Sequence, residues 1–579
     1  MAPRVELEGL GVLEGRAFDK VARFLAVPYA APPTGALRWC PPAPPLPWCD
    51  RSPRHDPECL PRCPQLAPLE RTFKGHLLKD SEDCLVLNIW TPLARLPAVA
   101  QQVADSRAAE VPATSPARQR SRSRSRKDAR VAADAGAASG DSNGAPVVVY
   151  VHGGGGKAGS AHGCAESGMQ LAKHHGVCSI SINYRLGIFG FLAHPELSQE
   201  DETRAKGSSA CSGNLALLDQ IAALQWVQQY ASRFGGDPGN VTLWGFSSGA
   251  QFASSLLISP LSRGLFHRVV IQSCVDIATV RKLRSTSDIW CGRTAEEWGA
   301  ELGCRMGCPR GQGQLAAMRG LSAEVLAKFA VDEAASDCYE PTIDSRRQLR
   351  AAPAKPRSSL EALAAGSFQR VPVLLGYTQQ DGLGKEELEH TLFEATDVSD
   401  LPGLGRLLAR EFGARQAEAM EFYRASGTRA VEAALGSFSD DLWYFAATWL
   451  MANLLARSAS AAPVFLYCFD ALRKNPHGID CEFWRGSAPL SPAPTLAAYL
   501  ANFARTGSPN GPGLPAWEPH VAGGLRHMAL GQRPRMRELQ AAEAKRHAFV
   551  AEAHFNDRLL AELQRGEPER GLASVIATG

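Results

Sequence analysis

The run from Val241 to Ala250, Val-Thr-Leu-Trp-Gly-Phe-Ser-Ser-Gly-Ala, constrains the fold more than any other stretch of the chain. It reads as a buried apolar strand, a very tight turn and the start of a helix. Inside it, Gly245-Phe-Ser247-Ser-Gly249 fits the pattern G-x-S-x-G. A serine at the tip of a strand-to-helix turn sits in strained backbone. Only small residues two before and two after it let the chain bend that sharply. The product is a hydroxyl held above a sheet, beside the positive end of a helix. Only Ser247 has glycine on both sides at the right distance; the adjacent Ser248 is expected to supply a backbone N–H. Alone, such a pattern matches many ordinary Gly/Ser turns. The strand before it and the helix-like Ala250 to Ile258 after it single it out as a nucleophile elbow.

The chain has 579 residues, long for one domain, and its 45% hydrophobic content is ample for a large core. The net charge of +3 misleads, because Arg118 to Arg130 carries seven basic residues against Asp128, which leaves −3 elsewhere. Nothing outside that segment demands a polyanionic partner. No apolar run approaches the roughly 18 residues that a membrane helix needs. Met1 to Glu8 lacks the apolar core of a signal peptide, and Ser574 to Gly579 is no retention signal. Fifteen cysteines is an odd number, so at least one thiol lacks a partner within the chain. No Cys pair repeats at zinc-ligand spacing, and Cys304 and Cys308 have no histidine nearby in sequence, so no metal is expected.

Short β-type runs broken by Pro and Gly open the chain, among them Phe24 to Ala30. Residues 95–145 turn to Ala, Ser, Arg, Asp and Gly, and include the alternating Arg120 to Arg126. With so few large apolar groups this segment cannot offset its ordering entropy, and it reads as a disordered insertion. It divides a 1–94 part from a 146–540 part of one domain, with 541–579 as a C-terminal helix and tail. Past the insertion, Pro146 to Val151, Val177 to Tyr184, Val241 to Phe246, Val371 to Gly376 and Pro463 to Tyr467 read as buried strands. Helical sequence lies between them. Leu217, Leu218, Ile221, Leu224 and Val227 recur at three- and four-residue steps as one apolar face. Met536 to Leu563 reads as one long helix. Strands alternating with helices argue an α/β fold with a large, mostly parallel central sheet.

A serine hydroxyl is a poor nucleophile until a base removes its proton, and the base needs a carboxylate to fix its tautomer. In this class of fold they follow in the order Ser, acid, His. Asp381, in Gly376-Tyr-Thr-Gln-Gln-Asp-Gly382, follows a strand end; Glu386, outside that motif, is the fallback. His477 stands a short loop beyond Pro463 to Tyr467. The glycine run 153–156 ends the strand at 146–151, where unhindered backbone N–H groups can turn toward a developing oxyanion.

Phe24 to Trp39, Ser81 to Trp90, the glycine run, the elbow and the Cys481 to Gly486 stretch after His477 together resemble the type-B carboxylesterase/cholinesterase family of α/β-hydrolases. The resemblance spans nearly all of the chain outside the insertion and the last forty or so residues. It implies a serine carboxylic-ester hydrolase working through an acyl-enzyme on Ser247, with His477 as base and Asp381 as orienting acid. It implies oxyanion donors at Gly154, Gly155 and Ser248, no metal or organic cofactor, and a small-molecule ester as substrate. It also implies a disulfide from Cys84 to Cys63, with Cys59 as the other partner, and scaffolding ion pairs Arg38–Glu82 and Arg185–Asp219.

Several positions depart from the family. Asp381 stands where Glu is usual, and Phe246 where an acidic residue precedes the nucleophile. No Trp lies between Cys63 and Cys84, which with Phe246 argues against a cholinesterase. Gln272-Ser-Cys-Val275 replaces Gln-Ser-Gly-Ser, and Ala317-Met-Arg319 removes a second disulfide cysteine, leaving Cys304–Cys308 as an alternative pair. These changes keep open a catalytically silent adhesion protein. The arginine-serine insertion keeps open an RNA-associated role, although no aromatics stand nearby to stack bases. The bare N-terminus points to the cytoplasm and the family's disulfides to a secretory route.

Overall fold

The computed structural model describes residues 2–48, 59–65, 72–73, 76–97, 144–163, 165–203, 211–273, 277, 294–329, 341–343, 354–355, 357–379, 381, 398, 400–423, 428–457, 462–472, 477–484, 486 and 493–556. The 95–145 insertion with its arginine-serine run, Glu386 and the tail beyond 556 lie outside the described residues, apart from a few at the insertion's ends.

The strands are β1 (Arg4–Leu7), β2 (Gly11–Glu14), β3 (Arg16–Phe18), β4 (Val21–Pro28), β5 (Cys59–Arg62), β6 (Thr72–Phe73), β7 (His76–Asp80), β8 (Val86–Pro92), β9 (Ala145–Val151), β10 (Cys178–Ile182), β11 (Gly236–Phe246), β12 (Arg268–Gln272), β13 (Val373–Thr378), β14 (Val464–Phe469), β15 (Arg526–Ala529) and β16 (Arg535–Glu538). Eleven of them form one sheet in the order β16-β15-β14-β13-β12-β11-β9-β10-β8-β4-β3. Its centre, from β15 to β10, is parallel, and both margins are antiparallel. β4 and β8, from before the insertion, enter the same sheet as β9 to β16, so both flanks build one body.

The central strands are largely apolar and buried along most of their length because both faces are covered. Their side chains alternate between two cores, as the period of two in a strand requires. Val147, Val149, Leu243, Val269, Ile271 and Leu375 enter one core, with helices Leu215–Tyr230 and Ser248–Ile258. Val148, Tyr150, Trp244, Val270 and Leu374 enter the other, with helix Ala493–Thr506.

Two expectations change. Helix Leu215–Tyr230 does not present a single apolar face: Ala216, Asp219, Gln220 and Trp226 are buried along with Leu217 and Leu224. Asp219 is tolerated there because Arg185 bonds both of its oxygens, at 2.6 and 2.8 Å. The expected helix Met536–Leu563 begins instead as β16, which pairs antiparallel with β15. A capping box at Gln540 and Glu543 then starts helix Ala541–Val550. No helix among the described residues is long and apolar enough to cross a membrane.

The Cys63–Cys84 bond is also not formed in this structure. Both residues are buried free thiols, with Cys84 hydrogen-bonded to Cys63 and its thiol pushed up by that bond and by burial. Cys304 and Cys308 are likewise free. The ion pair Arg38–Glu82 is present, bidentate at 2.5 and 2.7 Å.

Candidate active site

The elbow's spacing has a visible steric cause. A Cβ on Gly245 would lie 2.2 Å from the Gly249 carbonyl oxygen, and one on Gly249 would lie 2.3 Å from the Val151 carbonyl oxygen. The turn therefore closes on itself and against the end of β9, with no room for a side chain at either position. Ser247 takes φ 54 and ψ −127, backbone that a non-glycine residue adopts only when its surroundings force it. Its N–H donates to the Gln272 carbonyl at 2.9 Å, and its own carbonyl accepts from Ala250 and Gln251, which starts the helix. The hydroxyl is left at the helix N-terminus.

The other groups arrive from neighbouring strand ends. Asp381 follows β13 by three residues and His477 follows β14 by a short loop. All three stand beyond the carboxyl ends of parallel strands, where an open α/β sheet leaves its crevice. The Ser247 hydroxyl lies 2.9 Å from His477 Nε2, and His477 Nδ1 lies 2.6 Å from Asp381 Oδ1. The hydroxyl donates to Nε2, so Nδ1 carries the proton that it donates to the carboxylate. The remaining oxygen of the fully buried Asp381 accepts the Thr378 N–H at 2.7 Å. A backbone donor thus orients the carboxylate from behind.

Two rings bracket the imidazole. Phe246 stacks on His477 at 5.0 Å and 29°, and Tyr444 lies at 5.3 Å and 48°. Tyr444 comes from the π-helical turn Asp440–Phe445, which no sequence pattern had signalled. Phe246, which stands where the resemblance leads one to expect an acidic residue, lays a ring face on the imidazole. Behind the histidine sits a second buried carboxyl, Asp480, which accepts from the Tyr467 hydroxyl at 3.1 Å. Burial, and then the charge of Asp381, raise Asp480 to about 6.

The glycine run curls beside the nucleophile. A Cβ on Gly153 would lie 2.8 Å from the Ser247 Cβ. Gly154, Gly155 and Gly156 take φ of 116, 63 and 70, a path that side chains would oppose. No acceptor for the N–H of Gly154, Gly155 or Ser248 is found among the described residues. His152, at the root of the loop, is buried neutral: loss of solvent lowers it to about 4, and its Nδ1 bonds the Gly153 carbonyl at 2.8 Å. Cys274 and Val275 lie outside the described residues, while Ser273 is buried with φ 55. Among the described residues no group of three or more His, Cys, Asp or Glu converges as metal ligands do.

Comparison with known proteins gives the chain its family. The profile of the carboxylesterase family matches residues 1–549. The chain belongs to that family, and with it to the carboxylic ester hydrolases. It is 33% identical to the fumonisin B1 esterase of Sphingopyxis macrogoltabida over 388 residues, covering 64% of this chain and 55% of that protein. With the liver carboxylesterase of Sus scrofa it shares 30% identity over 560 residues, 87% of this chain and 84% of the relative. The liver carboxylesterase 1 of Oryctolagus cuniculus is 29% identical over the same shares, 87% and 84%. Among solved structures, a PNB esterase superposes with TM-score 0.68 at 23% identity, covering 95% of this chain and all of that one. A thermophilic PNB esterase gives 0.69 at 22% identity, with the same coverage. The two structures speak for the fold.

Proposed function

We propose that the chain hydrolyses small-molecule carboxylic esters through an acyl-enzyme on Ser247. The observation that carries this reading is the continuous hydrogen-bonded line Ser247–His477–Asp381. His477 Nε2 takes the proton as Ser247 Oγ bonds to the ester carbonyl carbon. Asp381 holds the imidazole in the tautomer this requires and stabilises the imidazolium that forms. The N–H groups of Gly154, Gly155 and Ser248 receive the negative oxygen. Collapse expels the alcohol, which takes the proton back from His477. Water then attacks the acyl carbon with His477 again as base, releasing the acid and restoring Ser247.

Hydrolysis of p-nitrophenyl butyrate by the wild type and by Ser247→Ala tests the reading. The variant should lose on the order of 10⁶-fold in kcat. A p-nitrophenyl alkylphosphonate should label the wild type alone, forming the Ser247 Oγ–phosphorus bond and releasing p-nitrophenolate. A folded wild type that neither turns over nor takes the label would exclude the reading and favour a silent binding protein.

A further inference from the structure

Donors aimed at an oxyanion are useful only if they are in place before charge develops. The loop that carries two of them is poorly suited to hold itself still. Gly154, Gly155, Gly156 and Gly159 all take positive φ, and glycine backbone has many alternatives of similar energy. Within the loop, Lys157 and Ala158 both donate to the Gly154 carbonyl at 3.0 Å, which closes the turn but does not aim it.

The aiming contacts come from outside. The Ser248 hydroxyl accepts the Gly156 N–H at 3.2 Å, while the Gly156 carbonyl accepts from the Gly187 N–H at 2.7 Å. On the far side of the turn, the amide of Gln65 takes both backbone groups of Gly159. Its Nε2 donates to the Gly159 carbonyl and its Oε1 accepts the Gly159 N–H, each at 2.9 Å. Gln65 is itself fixed by a bond from Nε2 to the Cys63 carbonyl at 3.0 Å, and only 3% of it is exposed. Gly159 in turn packs under the root of the loop, where a Cβ would lie 2.5 Å from His152 Nδ1 and 2.6 Å from the Gly153 carbonyl oxygen.

From this geometry we infer that Ser248 and Gln65 are positioning residues that hold the glycine loop in its oxyanion-binding form. The inference rests on the acyl-enzyme reading above. Ser248 acts twice: its N–H faces the oxyanion from the elbow, and its hydroxyl ties the elbow to the loop that carries the other donors. The two sources of donors are thereby locked to each other. Gln65 closes the loop's other end with an amide pair that mimics one rung of a β-ladder.

The experiment compares wild type, Ser248→Ala, Gln65→Ala and the double variant. Ser254→Ala is the control, because among the described residues that hydroxyl bonds only the Ala250 carbonyl of its own helix. Three quantities are read: kcat and KM on p-nitrophenyl butyrate, the Ki of an alkyl trifluoromethyl ketone, and Tm. The ketone adds Ser247 Oγ to its carbonyl with the proton passing to His477 and no leaving group, so its affinity reports the oxyanion site. Deleting an oxyanion donor costs about 10²–10³-fold, and a loosened donor should cost less, about tenfold in kcat for each single variant. KM should stay within about twofold, and Ki should rise by the factor by which kcat/KM falls. Unchanged kcat in Ser248→Ala, or a fall in kcat/KM with Ki unmoved, would overturn the inference. If Gln65→Ala does not fold, Ser248→Ala decides alone. Phosphonate labelling separates the two levels. No label in the wild type defeats the reading and the inference together, whereas normal labelling with wild-type kinetics in Ser248→Ala defeats the inference only.

Discussion

The nucleophile side of the site and its base side are built on different principles. On the nucleophile side the backbone decides: Gly245, Gly249 and Gly153 approach neighbouring main chain or Ser247 too closely for any side chain, and Ser247 is forced to φ 54. On the base side the side chains decide: Asp381 and His477 sit on loops and are aligned by a carboxylate, a backbone N–H and two aromatic rings. Backbone-built geometry admits almost no substitution. Side-chain geometry can re-form around a different residue, and Asp381 reaches His477 Nδ1 at 2.6 Å where the resemblance leads one to expect Glu.

The sharpest test is on the base side. Asp381→Asn keeps the shape but offers His477 the wrong partner, and kcat should drop about 10⁴-fold. Asp381→Glu should recover most of that, staying within about a hundredfold of wild type as the loop absorbs one methylene. Gly249→Ala asks the opposite question, and its Cβ meets the Val151 carbonyl oxygen. Unfolding titrations should show a loss of about 3 kcal/mol, the upper end of what overpacking costs. A stable, active Gly249→Ala beside an inactive Asp381→Glu would break the comparison.

Acidity separates the two sides next. Burial holds His152 down at about 4, so the unfolded chain binds that proton first. Its contribution to stability is intact above about 6.5 and falls by about 3 kcal/mol as the pH drops to about 4. Asp480, raised to about 6 by burial and then by Asp381, runs the other way. The folded carboxyl keeps its proton where the unfolded one has lost it, so stability declines as the pH rises from about 4 to 6. Denaturant midpoints across pH 4–7 should show His152→Asn reducing the acid-side loss and Asp480→Asn removing the opposing slope. The smallest effect belongs to Phe246→Ala, which removes one ring from His477. An aromatic pair is worth about 1 kcal/mol, so kcat should fall roughly threefold to tenfold with KM little changed.

The same division explains what could be read from the chain. The elbow was legible because a backbone constraint leaves a residue-type signature, glycine at two before and two after. The strands at β9, β10, β11, β13 and β14 were legible because burial on both faces favours largely apolar runs. Ser247 was singled out by the elbow spacing, Asp381 by its place after a strand, and His477 by its place and the Cys481 to Gly486 stretch; His477 lies within hydrogen-bond reach of the other two. The contacts from Gln65, Tyr444 and the Ser248 hydroxyl left no such mark. Each depends on chain brought from elsewhere: Gln65 meets Gly159 across 94 residues. Helix Leu215–Tyr230 misled for a related reason, because Gln220 looks solvent-facing until the surrounding core covers that side. β16 was hidden by helix-forming composition that pairing with β15 overrides.

The parts of the site span the chain from Gly153 to His477, delivered by β9, β11, β13 and β14, which lie side by side in a parallel array with β12 between β11 and β13. Parallel neighbours cannot pair until the long crossovers between them have closed, and such contacts form late and slowly. Esterase turnover is therefore a clock for the final stage of refolding. After dilution from denaturant, helical circular dichroism should return first. Activity should return only when β14 docks on β13 and His477 arrives over a serine whose turn has long been made.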